Sequence, residues 1–297
     1  MSRNVVGPWV WVILLASACA AGTPVVSDAV IPFRTVDQFL IVVQLRIGTA
    51  GPYDFMVDTG ADTSIIDPKL ADELKLSAVE HVVLHTPTSS ARVLRSELPL
   101  VKLGYIAVKR LEVVVEPLQE IHNVDRHIRG VLGENFFEFF DYMLDYRNQQ
   151  FVIDIDHTRP DLLGGDRLPL SEECGSQADA VEVAVQGTAS VIPEQLRMKL
   201  DSGIRVATFL APHEARAKAE AVGLAFKATT DFGSSRASLV TSWKVRVGKS
   251  AFSMVPFLVL GANRKNDCYD GLLPTTMLRS VYVSHSGKFV MVQPIEY

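Results

Sequence analysis

The sequence lacks the short motifs that mark several common enzyme classes. It contains no Cys-x-x-Cys, no His-Glu-x-x-His and no phosphate-binding loop of the Gly-x-x-x-x-Gly-Lys type, and its seven His show no metal-ligand spacing. It has no Gly-x-Ser-x-Gly, and no Cys stands in a context typical of a nucleophile. These absences argue against a zinc hydrolase, a P-loop protein and a serine or cysteine hydrolase. We expect neither a metal nor another cofactor.

The chain also lacks a strong excess of charge of one sign. Its 34 acidic and 29 basic residues are interspersed and leave a formal net charge of -5. Because no cluster of Lys and Arg forms a basic patch, nucleic acid is not an expected partner. At 297 residues and 48% hydrophobic content, the chain can bury a sizeable core in one large domain or two lobes.

The N-terminal segment has no apolar run long enough to span a bilayer comfortably. Arg3 precedes an apolar run over residues 5–18, which is typical of the hydrophobic part of a signal peptide. Residues 15–19 resemble a lipobox ending at Cys19, with Ala16 where Leu is usual. Lipidation of Cys19 and plain cleavage near Ala18 both remain open, as does a buried N-terminal element.

We therefore expect residues 1–30 to be a signal peptide or a lipoprotein signal. The protein would then be exported, either to the periplasm or as a lipoprotein anchored in the outer membrane. A lipid anchor would be its only contact with a membrane.

Cysteine is scarce, with three residues in the whole chain. If Cys19 is cleaved away or lipidated, Cys174 and Cys268 remain as a pair. An oxidising compartment would allow them to form a disulfide, although two free and partly buried thiols are the alternative.

One internal repeat runs through the chain. The sequence Phe-Met-Val-Asp-Thr-Gly at residues 55–60 is echoed by Met-Lys-Leu-Asp-Ser-Gly at residues 198–203. Four further landmarks recur in the same order at nearly the same offset: Gly48, Pro68, Gly104 and residues 130–133 are matched by Gly187, Pro212, Gly248 and residues 271–274. Five landmarks in one order predict a duplicated lobe.

Each half has the same coarse pattern of elements. An apolar strand, a turn and a strand ending at the Asp are followed by a short helix, strands of period two and a final hairpin, at residues 142–154 and 281–292. We predict a mainly β, two-lobed β-barrel fold with short helices. The lobes would span residues 31–155 and 178–297, joined by a linker at 156–177 that includes an early strand of the second lobe. Two fused lobes need no dimer, so we expect a monomer.

The two Asp-(Thr/Ser)-Gly triplets predict chemistry. An Asp at the end of an apolar strand is costly to bury unless its charge is used. The following Gly permits a tight turn and leaves backbone N–H groups open to the carboxylate. One copy alone would be an ordinary Asx turn. Two copies at matched points of a repeat predict two carboxyls that share a proton and activate a water molecule.

These residues carry a family resemblance. Residues 57–64 resemble the active-site loop of retropepsin-like aspartic peptidases. Residues 131–133 resemble the hydrophobic-hydrophobic-Gly motif behind that loop, and residues 136–146 resemble the helix and strand that follow it. The order of elements is similar to that of pepsin-like enzymes, which fuse two such lobes in one chain.

The resemblance implies an aspartic endopeptidase with a cleft for a peptide or protein substrate. It also implies a β-hairpin flap near residues 84–94. The implied site residues are the catalytic dyad Asp58 and Asp201, the interlocking hydroxyls of Thr59 and Ser202, and the loop residues Gly60, Ala61 and Gly203.

The second lobe departs from this pattern at two positions. Ile204, followed by Arg205, stands where a small residue is usual, and Pro274 replaces the Gly of the second hydrophobic motif. Pro has no N–H, so the support behind Asp201 is expected to differ from that behind Asp58. Two alternatives to an active enzyme therefore remain: a catalytically inactive peptide-binding protein of the same fold, and a structural envelope lipoprotein.

Overall fold

The computed structural model describes residues 29–86, 90–154, 157, 164–171, 179–188, 190–230, 233–261 and 268–295. Most of the predicted export signal, Cys19 and Cys174 lie outside these residues. Cys268 lies within them and is disulfide-bonded, while its pairing with Cys174 stays a prediction. Within the described ranges, the helices are too short or too polar to cross a membrane.

The first half of the chain forms an eight-stranded sheet and contributes three further strands, its first and its last two, to another sheet. Its strands are β1 (Ala29–Pro32), β2 (Arg34–Val36), β3 (Leu40–Ile47), β4 (Ala50–Val57), β5 (Ser64–Ile66), β6 (Glu80–His85), β7 (Ser90–Leu103), β8 (Ile106–Val115), β9 (Ile128–Leu132), β10 (Asp141–Asp145) and β11 (Gln150–Asp154). Its helices are α1 (Pro68–Glu73), α2 (Gln119–Val124) and α3 (Glu134–Phe137). The strand order in the sheet is β2-β3-β4-β9-β5-β8-β7-β6.

The second half repeats this arrangement with a sheet of seven strands. Its elements are β12 (Asp166–Pro169), β13 (Ala180–Gln186), β14 (Gln195–Asp201), β15 (Ala207–Ala211), α4 (His213–Val222), β16 (Leu224–Thr230), β17 (Gly233–Val247), β18 (Ser250–Gly261), β19 (Gly271–Pro274), a 3-10 turn (Thr275–Met277), β20 (Leu278–Ser284) and β21 (Phe289–Pro294). The order β13-β14-β19-β15-β18-β17-β16 matches that from β3 to β6 strand by strand. The mainly β, two-lobed fold predicted from the duplication is therefore confirmed.

The local sequence explains why these elements form. In β8, buried and exposed residues alternate over most of the strand, as expected for a sheet with one face in the core. Helix α1 begins where Asp67 accepts a hydrogen bond from the N–H of Leu70 at 2.7 Å, and Pro68 occupies its first turn. This capped helix turns the chain away from β5 immediately after the first Asp loop.

A third sheet joins the two halves. Its order is β1-β11-β10-β20-β21-β12, so the terminal hairpin of each half contributes two strands. At its centre β10 pairs antiparallel with β20, with Tyr142 opposite Val283. The linker predicted at residues 156–177 contains β12, which pairs with β21 in this sheet. One hydrophobic core cluster contains buried residues of both halves, including Val57 and Leu200.

Candidate active site

Strands β4 and β14 place Asp58 and Asp201 at equivalent positions of the two lobes. Each strand pairs in parallel with the hydrophobic strand of its own lobe, β9 or β19, with Val57 opposite Leu132 and Leu200 opposite Leu273. The N–H of Asp58 also donates to the carbonyl of Leu132 at 3.0 Å. Each acidic residue therefore leaves the carboxyl end of a strand that is held on both sides.

The loops that follow the two strands interlock across the lobes. The Thr59 hydroxyl donates to the carbonyl of Leu200 at 3.0 Å, and the Ser202 hydroxyl donates to the carbonyl of Val57 at 2.9 Å. Each hydroxyl also accepts the backbone N–H of the other residue at 3.1 Å. Both side chains are buried, at 1% and 0% exposure. These four reciprocal hydrogen bonds fix one loop against the other.

The interlock brings each glycine against the carboxyl of the opposite lobe. A Cβ atom on Gly60 would lie 2.2 Å from Oδ2 of Asp201, and one on Gly203 would lie 2.6 Å from Cγ of Asp58. Neither distance leaves room for a side chain. The absence of a Cβ at both positions is what lets the two carboxyls approach.

The two carboxyls differ in their backbone contacts. Oδ1 of Asp58 accepts the N–H groups of Gly60 and Ala61 at 2.9 and 3.1 Å, whereas Oδ1 of Asp201 accepts that of Gly203 at 2.7 Å. Each carboxyl also acts on the pKa of the other. Burial raises the pKa of Asp58, and burial together with the charge of Asp58 raises the pKa of Asp201 well above its ordinary value. The pair therefore shares one proton, which the contacts favour on Asp201.

Pro274 leaves no polar group unpaired in the second lobe. In the first lobe, the N–H of Gly133 donates to the hydroxyl of Ser64 at 3.0 Å. The equivalent residues of the second lobe are Pro274, which lacks an N–H, and Ala207, which lacks a hydroxyl. Donor and acceptor are missing together, so Pro274 leaves no hydroxyl unpaired here, but the second lobe lacks this hydrogen bond behind Asp201.

Two further contacts cross between the lobes beneath the dyad. The hydroxyls of Tyr146 and Thr275 lie 2.5 Å apart, and Nε2 of His285 lies 2.9 Å from Oε1 of Glu134. Tyr146 and His285 follow β10 and β20, while Glu134 and Thr275 follow β9 and β19. The two contacts therefore occupy equivalent positions in the two lobes. The contact between Tyr146 and Thr275 is neutral, and the contact between His285 and Glu134 is charged.

The charged contact is part of a buried cluster. Nδ1 of His285 lies 2.7 Å from the carbonyl of Phe140, and Nε2 lies 3.1 Å from Oδ2 of Asp179. Since acceptors face both ring nitrogens, His285 is held as an imidazolium. Burial alone would lower the pKa of His285, but its bonds to Asp179 and Glu134 raise it to about 11. Burial and the charge of Asp179 raise the pKa of Glu134 to about 7.

Among the described residues, the same cluster is also the group whose side chains could together hold a metal ion. One atom each from Glu134, Asp179 and His285 lie within 4.8 Å of one another. Nε2 of His285 lies within ion-pair distance of both carboxyls, although only its contact with Asp179 has hydrogen-bond geometry. No sequence motif marks these residues, because they come from three distant segments.

Lys199 is another residue near the dyad that the predicted site does not include. It interrupts the apolar strand β14 two residues before Asp201, which was the available signal. Its side chain is fully buried, and Nζ lies 2.6 Å from Oδ1 of Asp62 in the loop of the other lobe.

The hairpin predicted as a flap is formed by β6 and β7. Leu84 pairs with Ala91 and Val82 with Val93. The hairpin packs on a core cluster that includes Met56 of strand β4 through Val82, Leu84 and Ala91. The tip residues 87–89 lie outside the described part of the chain.

The two-lobed fold and the interlocked Asp loops are similar to those of aspartic proteases. More particularly, residues 43–136 match the family model described as "Aspartyl protease". This match covers the strands and loop that carry Asp58 and the hydrophobic motif behind them.

One of the solved structures compared is similar in fold over most of this chain. The aspartic proteinase from Irpex lacteus is 13% identical, with a TM-score of 0.53, over 91% of this chain and 98% of its own. A retropepsin-like aspartic protease from Rickettsia conorii is 17% identical, with a TM-score of 0.32, over 43% of this chain and 90% of its own. Comparison with curated proteins gave no match.

Proposed function

We propose that this protein is an aspartic endopeptidase in which Asp58 and Asp201 activate one water molecule to hydrolyse peptide bonds. The observation that carries the proposal is the reciprocal interlock of Thr59 and Ser202. It holds together the loops of two carboxyls, one from each lobe, with that of Asp201 buried and that of Asp58 partly buried. Two neighbouring carboxyls cannot both ionise easily, because their negative charges would repel each other. The pair would therefore keep one proton over a wide pH range.

The contacts support different roles for the two carboxyls in the proposed reaction. Asp58, stabilised as an anion by two backbone N–H groups, takes a proton from the water molecule as it attacks the scissile carbonyl carbon. Asp201 donates its proton to the carbonyl oxygen, which gives a neutral tetrahedral diol. As the C–N bond breaks, Asp58 passes its proton to the leaving nitrogen, and a diol hydroxyl returns a proton to Asp201. The reaction needs no covalent nucleophile.

The substrate would be an extended peptide or protein segment bound between the lobes. The β6–β7 hairpin would close over it as the flap, which is the role that the family resemblance implies. If residues 1–30 direct export, the reaction takes place in the cell envelope. Ile204 lies half-buried beside Asp201 and would narrow the cleft on that side.

Asparagine substitutions of the dyad test the proposal. We expect Asp58→Asn and Asp201→Asn each to lower kcat on a peptide library by about 1,000-fold or more, because each removes a proton-transfer group. Far-UV circular dichroism should stay unchanged, since Asn preserves the shape of the side chain. Asp72→Asn is the matched control, because Asp72 is exposed on α1.

Substantial cleavage by either dyad variant would contradict the mechanism. Wild-type protein that binds peptides without cleaving them between pH 3 and 8 would instead identify a peptide-binding protein of the same fold.

A further inference from the structure

Lys199 has an unusual environment for a lysine. It is 0% exposed, although Lys is rarely fully buried unless its charge is paired. Its Nζ lies 2.6 Å from Oδ1 of Asp62, whose own side chain is 58% exposed. The ammonium is therefore the buried member of this ion pair, and the carboxylate faces solvent.

The ion pair lies between the two acidic loops. Lys199 precedes Asp201 by two residues on β14, so both side chains project from the same face of the strand. Asp62 follows Asp58 by four residues in the loop of the first lobe. The pair thus connects the strand that carries one carboxyl to the loop that carries the other.

The equivalent position of the first lobe shows that the fold does not require this charge. Lys199 corresponds to Met56, which is buried at 4% exposure in the same strand position. Arg205, the counterpart of Asp62, makes other contacts. Its guanidinium lies 2.8 Å from Oδ2 of Asp37 and over the ring of Phe39. One lobe therefore has an apolar residue where the other buries a cation.

We propose that Lys199 is a positioning residue of the dyad, whose buried ammonium provides a fixed positive charge beside both carboxyls and anchors the first Asp loop to the second lobe. This inference rests on the proposed peptidase function and adds a determinant of its pH range.

The sign of the effect follows from electrostatics. The positive charge favours the ionised forms of Asp58 and Asp201, and so opposes the rise in the pKa of both that burial causes. The other ionisable groups that act on Lys199 are Asp62, Tyr269 and Glu134. Burial alone would lower the pKa of Lys199, but the charge of Asp62 raises it, so the ammonium stays protonated wherever the enzyme would work.

Neutral substitutions of Lys199 test the inference. Lys199→Met installs the residue that the first lobe already has at this position, and Lys199→Gln retains a donor for Asp62. In both variants we expect the two limbs of the kcat/KM pH profile to move to higher pH by about one unit. Lys244→Met is the matched control, because it removes an exposed lysine with the same change of net charge. Its profile should coincide with that of the wild type.

The outcomes separate the inference from the proposed function. If wild-type protein cleaves peptides and the limbs of both neutral variants stay in place, the inference is wrong and the function stands. A shift in Lys199→Met without one in Lys199→Gln would show that anchoring alone matters, and would overturn the role of the charge. If Lys199→Met does not fold, Lys199→Gln decides the question.

If wild-type protein cleaves nothing, the proposed function fails and the inference is still measurable. Carbon-detected NMR titration of the Asp58 and Asp201 carboxyls then supplies the two midpoints in wild type and variants. Higher midpoints in the neutral variants support the inference, and unchanged midpoints refute it.

Discussion

Gly60 and Gly203 show why single residues matter at this site. Both φ angles lie outside the left-handed region in which glycine is favoured, so the backbone conformation alone does not require glycine. What requires it is space, since the carboxyl of the opposite lobe occupies the volume that a Cβ would need. The sequence predicted these glycines as turn residues, and the structure gives a different physical reason for them.

Gly60→Ala should therefore displace Asp201 while leaving the fold intact. A Cβ placed 2.2 Å from Oδ2 of Asp201 forces the carboxyls apart, and we expect kcat to fall by about 100-fold or more. A peptide cleavage assay measures this. Gly164→Ala is the control, because the nearest atom to its added Cβ is 3.9 Å away. Equal activity in both variants would contradict the close approach of the carboxyls.

The sequence predicted the site residues that belong to contiguous motifs. Asp58, Thr59 and Gly60 are adjacent, and their repeat at residues 201–203 identified the second loop. Lys199, His285 and their acidic partners could not be found in this way, because each contact joins segments more than a hundred residues apart. Pairing at that separation follows from tertiary structure, which local sequence patterns do not encode.

At the scale of elements, the two lobes contain equivalent hairpins with different tips. Residues 86–89 separate the paired residues of β6 and β7, whereas two residues, 231 and 232, separate those of β16 and β17. Strands with alternating apolar residues were predicted well. The short strands β1 and β2 and helix α2 were not, because elements of three to six residues give too little periodicity.

Shortening the first hairpin should impair substrate binding without unfolding the protein. Replacing residues 86–89 with an Asn-Gly turn keeps the strands paired but removes the tip. We expect kcat/KM on long peptides to fall by about 10- to 100-fold, because a flap that cannot close leaves the substrate exposed to water. Replacing residues 231 and 232 with Asn-Gly is the matched control and should leave kcat/KM unchanged. Loss of activity in both variants would argue against a flap specific to the first lobe.

At the scale of the molecule, the lobes are joined by a common sheet and by the contacts beneath the dyad. The duplication in the sequence predicted two similar lobes. It did not predict that their terminal hairpins pair with each other. The apolar pattern of a strand shows that the strand is buried, but it does not show which strand lies beside it. The His285 cluster adds a charged link to this junction.

The His285 cluster should make stability depend on pH. The pKa of His285 rises from 6.5 unfolded to about 11 folded, so its stabilisation is complete below pH 6.5 and decreases as pH rises toward 11. The free energy of unfolding of wild type relative to His285→Gln should therefore fall by about 1 kcal/mol per pH unit between pH 7 and 10. Urea unfolding at several pH values measures this difference.

The exposed His213 supplies the control for that experiment. His213→Gln should follow the wild-type stability at every pH in the range. A constant difference between wild type and His285→Gln would mean that His285 is not held as an imidazolium in the folded protein.

The paired absence of an N–H at Pro274 and a hydroxyl at Ala207 has an evolutionary consequence. A Gly at 274 alone would gain a donor that faces no hydroxyl, and a Ser at 207 alone would gain a hydroxyl without the donor that Ser64 has. Each position therefore restricts what selection can accept at the other. To regain the hydrogen bond of the first lobe, the second lobe would need both substitutions together, so the divergence of each position depends on that of the other.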